Sequence, residues 1–179
     1  YPFMPYHIRL MQEIFNILRG RGAKITGRER TALTAVNAMM SGIKNRKGLA
    51  HMPVSSLVTF DLVYDVLEEE LKAISSSEEA AIERISKLGK CGEAEVASVA
   101  KVLFLLQNIE WIPCTIGNIT AMLYPKLGAE TSALETSIKE CLEVLIKGLW
   151  VAEKQGTYRL FSEFERSFEK LVREKRSEE

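Results

Sequence analysis

The side chains that most often do chemistry are few in this chain and stand far apart. Its histidines are His7 and His51, and its cysteines are Cys91, Cys114 and Cys141. Neither histidine has a nucleophile or a second metal ligand at a useful spacing, and no CxxC pair occurs. The sequence therefore predicts no catalytic residue and no metal site. It also predicts buried, reduced thiols, which are typical of a cytoplasmic protein.

Arginines at the start of a predicted helix are the best candidates for a binding site. Gly27, Arg28 and Arg30 lie in the stretch ITGRERTALTAV, in which Thr26 has the position of a helix N-cap. An arginine gains nothing from the positive end of a helix dipole. An anionic partner would explain it, and phosphate also binds at helix N-termini. The alternative is an exposed arginine on a surface helix.

Charge is distributed unevenly along the chain. The 179 residues carry 24 basic and 24 acidic side chains, so the net charge is zero and a uniformly basic nucleic-acid coat is excluded. Residues 1–51 hold nine Lys or Arg and two Glu, whereas residues 61–95 hold ten acidic and four basic residues. This asymmetry indicates two faces that attract each other, a basic face that meets phosphate, or simply solvated faces. No apolar run approaches the roughly 20 residues of a membrane helix, so no membrane partner is expected.

Apolar spacing in the first half predicts helices, separated by one loop. We expect them over residues 6–19, 26–43, 61–74 and 78–88, with a loop over 44–56. The second helix would turn a stripe of four apolar residues inward, namely Leu33, Val36, Met40 and Ile43. The glycines of residues 89–92 predict a boundary between a helical domain, residues 1–90, and a second domain, residues 91–179.

The second half has the element order of a winged helix. Helices are predicted over residues 93–108, 116–123 and 132–147, the second capped by Thr115 and the third by a Ser132–Glu135 capping box. Two strands then flank the tight turn Gln155-Gly156, and a Ser162–Glu165 capping box opens a last helix. The fold class predicted is therefore mainly α, ending in a winged-helix domain with a small β-hairpin. The rival is a helical domain with an incidental hairpin.

The predicted recognition helix, residues 132–147, suits DNA poorly. It has no Arg, Asn or Gln, and its charged residues are Glu135, Glu140, Glu143, Lys139 and Lys147. Such a surface repels phosphate and offers few donors to base edges. On the wing, Lys154, Gln155 and Arg159 could touch phosphates, although a solvated hairpin explains them equally well. We expect this domain to serve in packing, or to contact another part of a larger protein.

Several stretches resemble a known family. The motif YPFMP before one helix, followed by GRERTAL on the next, resembles the lid region of AAA+ type P-loop ATPases. More narrowly, the chain resembles the large BREX phage-defence ATPases, the BrxC/PglY family, in the stretches YPFMPYHIRLMQEIF, TGRERTAL, VTFDLVYDVLEEEL and YRLFSEFERSFEK, in that order. The resemblance implies an AAA+ lid-like helical subdomain followed by a winged helix, C-terminal to an ATPase core.

The resemblance also implies roles for residues and partners. Arg30 would be the sensor-2 arginine that reaches the nucleotide γ-phosphate, Gly27 would let the helix start approach it, and Arg28 is the alternative to Arg30. The sequence has neither a GxxxxGK[ST] loop nor an acidic strand end. The chain alone is therefore not expected to hydrolyse ATP; ATP and Mg²⁺ would belong to a parent protein whose core lies upstream of Tyr1. The partners implied are the rest of that ATPase and DNA or other defence-system subunits.

On this interpretation the chain couples ATP binding to DNA or partner engagement. Two other classes remain open. A stand-alone winged-helix DNA-binding regulator would bind duplex DNA with an affinity that falls steeply with salt. A protein-interaction module without a nucleotide role would expose apolar side chains such as Phe15, Phe164 or Phe168, which core packing explains equally well.

Overall fold

The protein is mainly helical, with three short antiparallel strand pairs. A computed structural model describes residues 2–22, 28–43, 46–74 and 76–177, and the structural statements below refer to these. In chain order the elements are α1 Pro5–Gly20, α2 Arg28–Ser41, β1 Gly42–Ile43, β2 Arg46–Lys47, α3 Phe60–Val66, α4 Glu68–Ile74, α5 Ser76–Ile85, β3 Lys90–Cys91, β4 Ala94–Glu95, α6 Val96–Leu106, α7 Ile116–Met122, α8 Thr131–Lys147, β5 Val151–Lys154, β6 Thr157–Leu160 and α9 Glu163–Ser177. Short 3₁₀ turns cover Leu49–His51 and Ser86–Leu88.

The first helix forms as predicted, whereas the second turns a different face to the core. Along α1, Leu10, Ile14 and Leu18 are buried. Along α2 the inward stripe was predicted wrongly, because Leu33 is 70% exposed while Ala35 and Met39 are buried. Leu33 lies two residues from Ala35, which is roughly 200° around a helix. The helix therefore packs through the face that carries Ala35 and Met39.

The helix predicted over residues 61–74 is two helices that meet at Leu67. Its backbone N–H donates to the carbonyl oxygens of Val63 and Tyr64, so the first helix ends there. Leu67 is still buried, as are Val63 and Leu71 on either side of it. Three glutamates occupy the first turn of α4, where they stabilise the positive end of the new helix.

The predicted loop over residues 44–56 contains β2, which pairs with β1 at residues 42–43, and a 3₁₀ turn. Glycine is required at residue 48, because a Cβ there would lie 2.1 Å from the carbonyl oxygen of Met40. Farther on, the chain runs beside the turn that precedes α8: Leu57 N–H donates to the carbonyl oxygen of Pro125, and Leu127 N–H donates to that of Ser55. We call residues 55–57 the bridging segment. It joins the first half of the chain to the second.

The glycine break over residues 89–92 contains β3 and the start of its turn to β4, and this strand pair docks on α8. A Cβ at Gly92 would lie 2.4 Å from Ser137 Oγ on α8. The same hydroxyl accepts a hydrogen bond from the Glu93 N–H at 3.0 Å. The pair displaces the start of α6 to Val96, three residues later than predicted. The division into two domains stays a prediction, and the hydrophobic core includes side chains from both sides of it, among them Val63 and Leu103.

The caps of α7 and α8 differ in how well they were predicted. Thr115 caps α7 as expected, its hydroxyl accepting from the Asn118 N–H at 3.3 Å. The Ser132–Glu135 capping box is wrong, because α8 already begins at Thr131 and Ser132 lies within its first turn. Ser132 Oγ donates instead to Glu130 Oε1 at 2.7 Å. The buried stripe of α8 is as predicted, with Leu134, Ile138, Cys141, Leu142 and Leu145 inward.

The predicted hairpin and the last cap are confirmed. Gln155 and Gly156 have φ values of 53° and 73°, as a two-residue turn between twisted strands requires. The Tyr158 N–H donates to the carbonyl oxygen of Cys114 at 2.9 Å, so the segment between α6 and α7 adds to the free edge of β6. Ser162 and Glu165 exchange bonds at the start of α9, N–H to Oε2 at 2.9 Å and N–H to Oγ at 3.2 Å.

Among the described residues, no helix combines the length and the apolar character needed to cross a bilayer.

Candidate functional site

The predicted phosphate-binding residues lie at the start of α2. Gly27 and the predicted cap Thr26 fall outside the described residues. The helix begins at Arg28, which places Arg28 and Arg30 in its first turn. That is the end at which backbone N–H groups attract anions. The contact with phosphate stays a prediction.

The predicted wing residues differ in availability. Lys154 and Gln155 are exposed at the tip of the β5–β6 hairpin. The guanidinium of Arg159 is held by Glu165, with Nη2–Oε1 at 2.8 Å and Nη1–Oε2 at 3.0 Å. Together with the bond from the Ser162 N–H, this pairing lowers the pKa of Glu165 to about 2. A phosphate would have to compete with this carboxylate for Arg159.

The lysines of α8 are paired within the helix. Lys139 contacts Glu135 at 2.9 Å, and Lys147 contacts Glu143 at 3.6 Å, both four residues apart. Such exposed pairs are weak, so they do not fix the side chains strongly. They nevertheless place a carboxylate beside each of these cations.

A cluster of charges that the sequence did not reveal joins α3 to α6, and we call it the charged joint. Arg46 on β2 contacts Asp61 at 3.1 Å and Asp65 at 2.7 Å, both on α3. From α6, Ser98 Oγ donates to Asp61 at 2.8 Å, and Lys101 Nζ lies 2.5 Å from Asp65. The five side chains line one wall of an open cleft of about 370 Å³.

The charged joint keeps a carboxylate ionised in a buried position. Asp61 is 4% exposed. Burial raises its pKa, but the charge of Arg46 and hydrogen bonds from Thr59 and Ser98 outweigh this and hold the pKa below its usual range. Removing Arg46 would leave the Asp61 carboxylate buried without its charged partner, whereas Arg46 itself is partly exposed.

Part of the charged joint has a signal in the sequence. Asp61 and Asp65 are four residues apart, so they share one face of a helix, and Lys101 is the one charged residue of the apolar segment VASVAKVLFLL. Attraction between the basic and the acidic block was one of the three explanations left open for the charge asymmetry. Arg46 from the first block and the two aspartates from the second attract each other here.

The buried titratable groups outside the joint are held in their neutral forms. Burial raises the pKa of the Cys114 thiol to about 11, and burial together with the neighbouring Cys91 raises that of Cys141 to about 12. Burial lowers the pKa of His7 to about 4. Protonated thiols are poor nucleophiles at neutral pH. Within the described ranges, no group of three or more His, Cys, Asp or Glu could hold a metal ion.

The last helix turns its apolar side to solvent. Phe164, Phe168 and Leu171 are 81%, 58% and 59% exposed, and we call them the outer stripe. Phe15, which an interaction module would also expose, is buried instead. Arg166 is part of the inner side of α9 and lies over the Trp150 ring, 3.1 Å from its centroid. A contiguous apolar surface of this kind indicates an interaction site.

Comparison with known proteins identifies no family for this chain. No family model matches the chain. No solved structure matches it either.

Proposed function

We propose that this chain is the lid-like helical region and winged helix of a larger P-loop ATPase, of the type found in BREX-like phage defence. In this proposal the winged helix engages a protein partner in preference to DNA bases, and it moves with the lid. The charged joint is the observation that carries the proposal. It connects α3 of the first half to α6 of the second through the part-buried Asp65–Lys101 ion pair and the Ser98–Asp61 hydrogen bond, so a displacement of one half is transmitted to the other.

The order of elements supports the winged-helix part of the proposal. Three helices, α6 to α8, precede the β5–β6 hairpin. The Tyr158 N–H donates to the carbonyl oxygen of Cys114, so the segment between α6 and α7 lies beside β6 as a third strand would. In a winged helix the segment between the first two helices pairs with the wing in this way. Of the wing residues, Lys154 and Gln155 remain exposed while Arg159 is paired.

The start of α2 supports the lid part of the proposal. Arg30 lies in the first turn of the helix, where the sensor-2 arginine of the resembling ATPases would lie. Its role would be to reach the γ-phosphate of a nucleotide that the parent protein's core holds with Mg²⁺. Arg28 is the other residue of that turn that would serve. This chain supplies neither the phosphate-cradling loop nor the magnesium ligands.

The decisive experiment measures ATP turnover of the full-length protein with single substitutions. Arg30→Ala should reduce turnover on the order of 10²-fold, because one preorganised contact to developing charge is lost. Arg19→Ala, an exposed arginine at the end of α1, is the matched control and should leave turnover unchanged. A loss in Arg28→Ala alone would transfer the role to Arg28. Unchanged turnover in both Arg28→Ala and Arg30→Ala would overturn the proposal.

The outer stripe favours a second candidate, a protein-interaction module with no nucleotide role. That candidate expects partner binding to survive Arg30→Ala and ATP to have no effect. A DNA-binding regulator is less well supported, because α8 presents glutamates and Arg159 is engaged by Glu165. A salt titration against duplex DNA separates it from the others: a regulator loses affinity steeply between about 50 and 200 mM salt.

A further inference from the structure

We propose that two copies of this chain associate through α9, packed antiparallel along the outer stripe. Phe164, Phe168 and Leu171 are spaced by four and three residues, so they form one line along the helix. More than half of each side chain is exposed. This inference is independent of the nucleotide role, since the outer stripe and Arg30 lie on different helices.

The chain's own contacts hold the outer stripe away from its core. On the inner side of α9, Glu165 binds Arg159, and Arg166 lies over Trp150 while donating to the Gly148 carbonyl oxygen at 3.4 Å. Rotating α9 to bury the stripe would break these contacts. A second molecule can cover the stripe without disturbing them.

The shape of the outer stripe suits a helix as its partner. A spacing of four and three residues makes a narrow line, as in the seam of a coiled coil, whereas a helix that packs on a broad core has a wider apolar face. Ser167 and Lys170, exposed on the same helix, add small and polar positions around the seam. The occupant is therefore another helix that carries a similar line.

The distribution of charge along α9 identifies that helix as a second α9. The first half, residues 163–169, carries three glutamates and one arginine, and the second half, residues 170–177, carries four basic residues and one glutamate, so the two halves have opposite net charge. An antiparallel pair brings the acidic half of each copy to the basic half of the other, with opposed helix dipoles. A parallel pair would place like charges together. A two-fold axis between the two helices then gives both copies the same contacts.

The association expected is reversible. Three apolar side chains from each copy make a small interface, below the roughly 1,200 Å² of total area at which stable pairs begin. The dimer should therefore populate with rising concentration and separate on dilution. Aromatic residues at its centre would contribute most of the affinity.

Sedimentation equilibrium over a range of concentrations tests the surface. The unmodified chain should associate, and Leu171→Asp should weaken association by more than about tenfold. Leu127→Asp is the matched control. The exposed fraction of Leu127, 52%, is similar to the 59% of Leu171, but Leu127 lies outside α9. Equal weakening by both variants would overturn the proposal, as would a chain that stays monomeric throughout. Far-ultraviolet circular dichroism verifies that each variant folds.

Cysteine crosslinking tests the orientation. Glu163→Cys and Arg176→Cys are prepared separately in a Cys91→Ser background, because Cys91 is the partly exposed native thiol. An antiparallel pair gives crosslinked dimers when the two variants are mixed and few when either is alone. Crosslinks within each variant alone would overturn the antiparallel arrangement.

Discussion

Lys101 on α6 places its ammonium group 2.5 Å from the carboxylate of Asp65 on α3. The two residues come from opposite sides of the glycine break that divides the sequence pattern. Arg46 contacts the same carboxylate from the β1–β2 pair. The Asp65 side chain therefore contacts residues of two other elements, β2 and α6. Through these contacts the charged joint links the two halves of the chain.

Loss of the buried carboxylate should destabilise the protein strongly. We expect Asp61→Ala to lower the free energy of unfolding by roughly 2 kcal/mol, because Ser98 loses its acceptor and Arg46 keeps only one of its two carboxylates, Asp65. Glu69→Ala is the control, since the Glu69 side chain is 83% exposed and lies 3.9 Å from Lys72. That exposed pair is worth about 0–1 kcal/mol. Urea unfolding measures both, and a loss for Asp61→Ala no larger than the control would contradict the joint.

His7 should make stability depend on pH in mildly acidic solution. Its pKa is lowered by burial to about 4 from an ordinary 6.5, so the folded state prefers the neutral ring. The stability it supports is present above pH 6.5 and is lost as the pH falls toward 4, by roughly 2–3 kcal/mol. His7→Phe should flatten this part of the profile, and an unchanged profile in this variant would contradict a role for the buried ring. Thermal melting at several pH values decides between these outcomes.

The capping box at Ser162 should contribute measurably to α9. We expect Ser162→Ala to cost about 1 kcal/mol, because the Glu165 N–H loses its acceptor at the helix start. Ser167→Ala, a serine inside the same helix, should be neutral or slightly stabilising, since alanine is the better helix former. Urea unfolding followed by circular dichroism compares the two variants. Equal effects would show that the cap has no special role.

Two glycine substitutions should act in opposite directions. Gly48→Ala places a Cβ 2.1 Å from a backbone oxygen, so the β1–β2 pair must shift and the protein should lose at least about 2 kcal/mol. Gly117 in α7 has no atom within 4 Å of such a Cβ, and Gly117→Ala should stabilise the helix by about 0.5–1 kcal/mol. Differential scanning calorimetry checks both. Tolerance of Gly48→Ala would be inconsistent with this close approach.

Local signals predicted the second half of the chain well. Thr115, the Gln155-Gly156 turn and the Ser162–Glu165 box act on residues within a few positions, so their effect is visible in the sequence. The Ser132–Glu135 pair has the same pattern but fails, because α8 begins one residue earlier. Element order and capping therefore followed from sequence more readily than exact boundaries.

Long-range packing decided what the sequence did not predict. The helical period of α2 is clear, but the choice of Ala35 over Leu33 as its inward residue depends on the neighbouring helices. The amphipathic pattern of α9 is equally clear, yet the contact of Arg166 with Trp150 turns its charged side inward. The charged joint needed three distant segments to meet. In the candidate site, the sequence thus supplied the residue types and the fold supplied their partners.

The bridging segment has a practical consequence for anyone who divides this chain for expression. A fragment that begins at residue 91 would leave the carbonyl oxygen of Pro125 and the N–H of Leu127 without the partners that residues 55–57 provide. It would also expose the side of α6 that α3 covers and leave Lys101 without its carboxylate. Such a fragment would expose apolar side chains and unpaired backbone groups on one surface, and we expect it to aggregate. A cut placed before residue 55 keeps that flank covered.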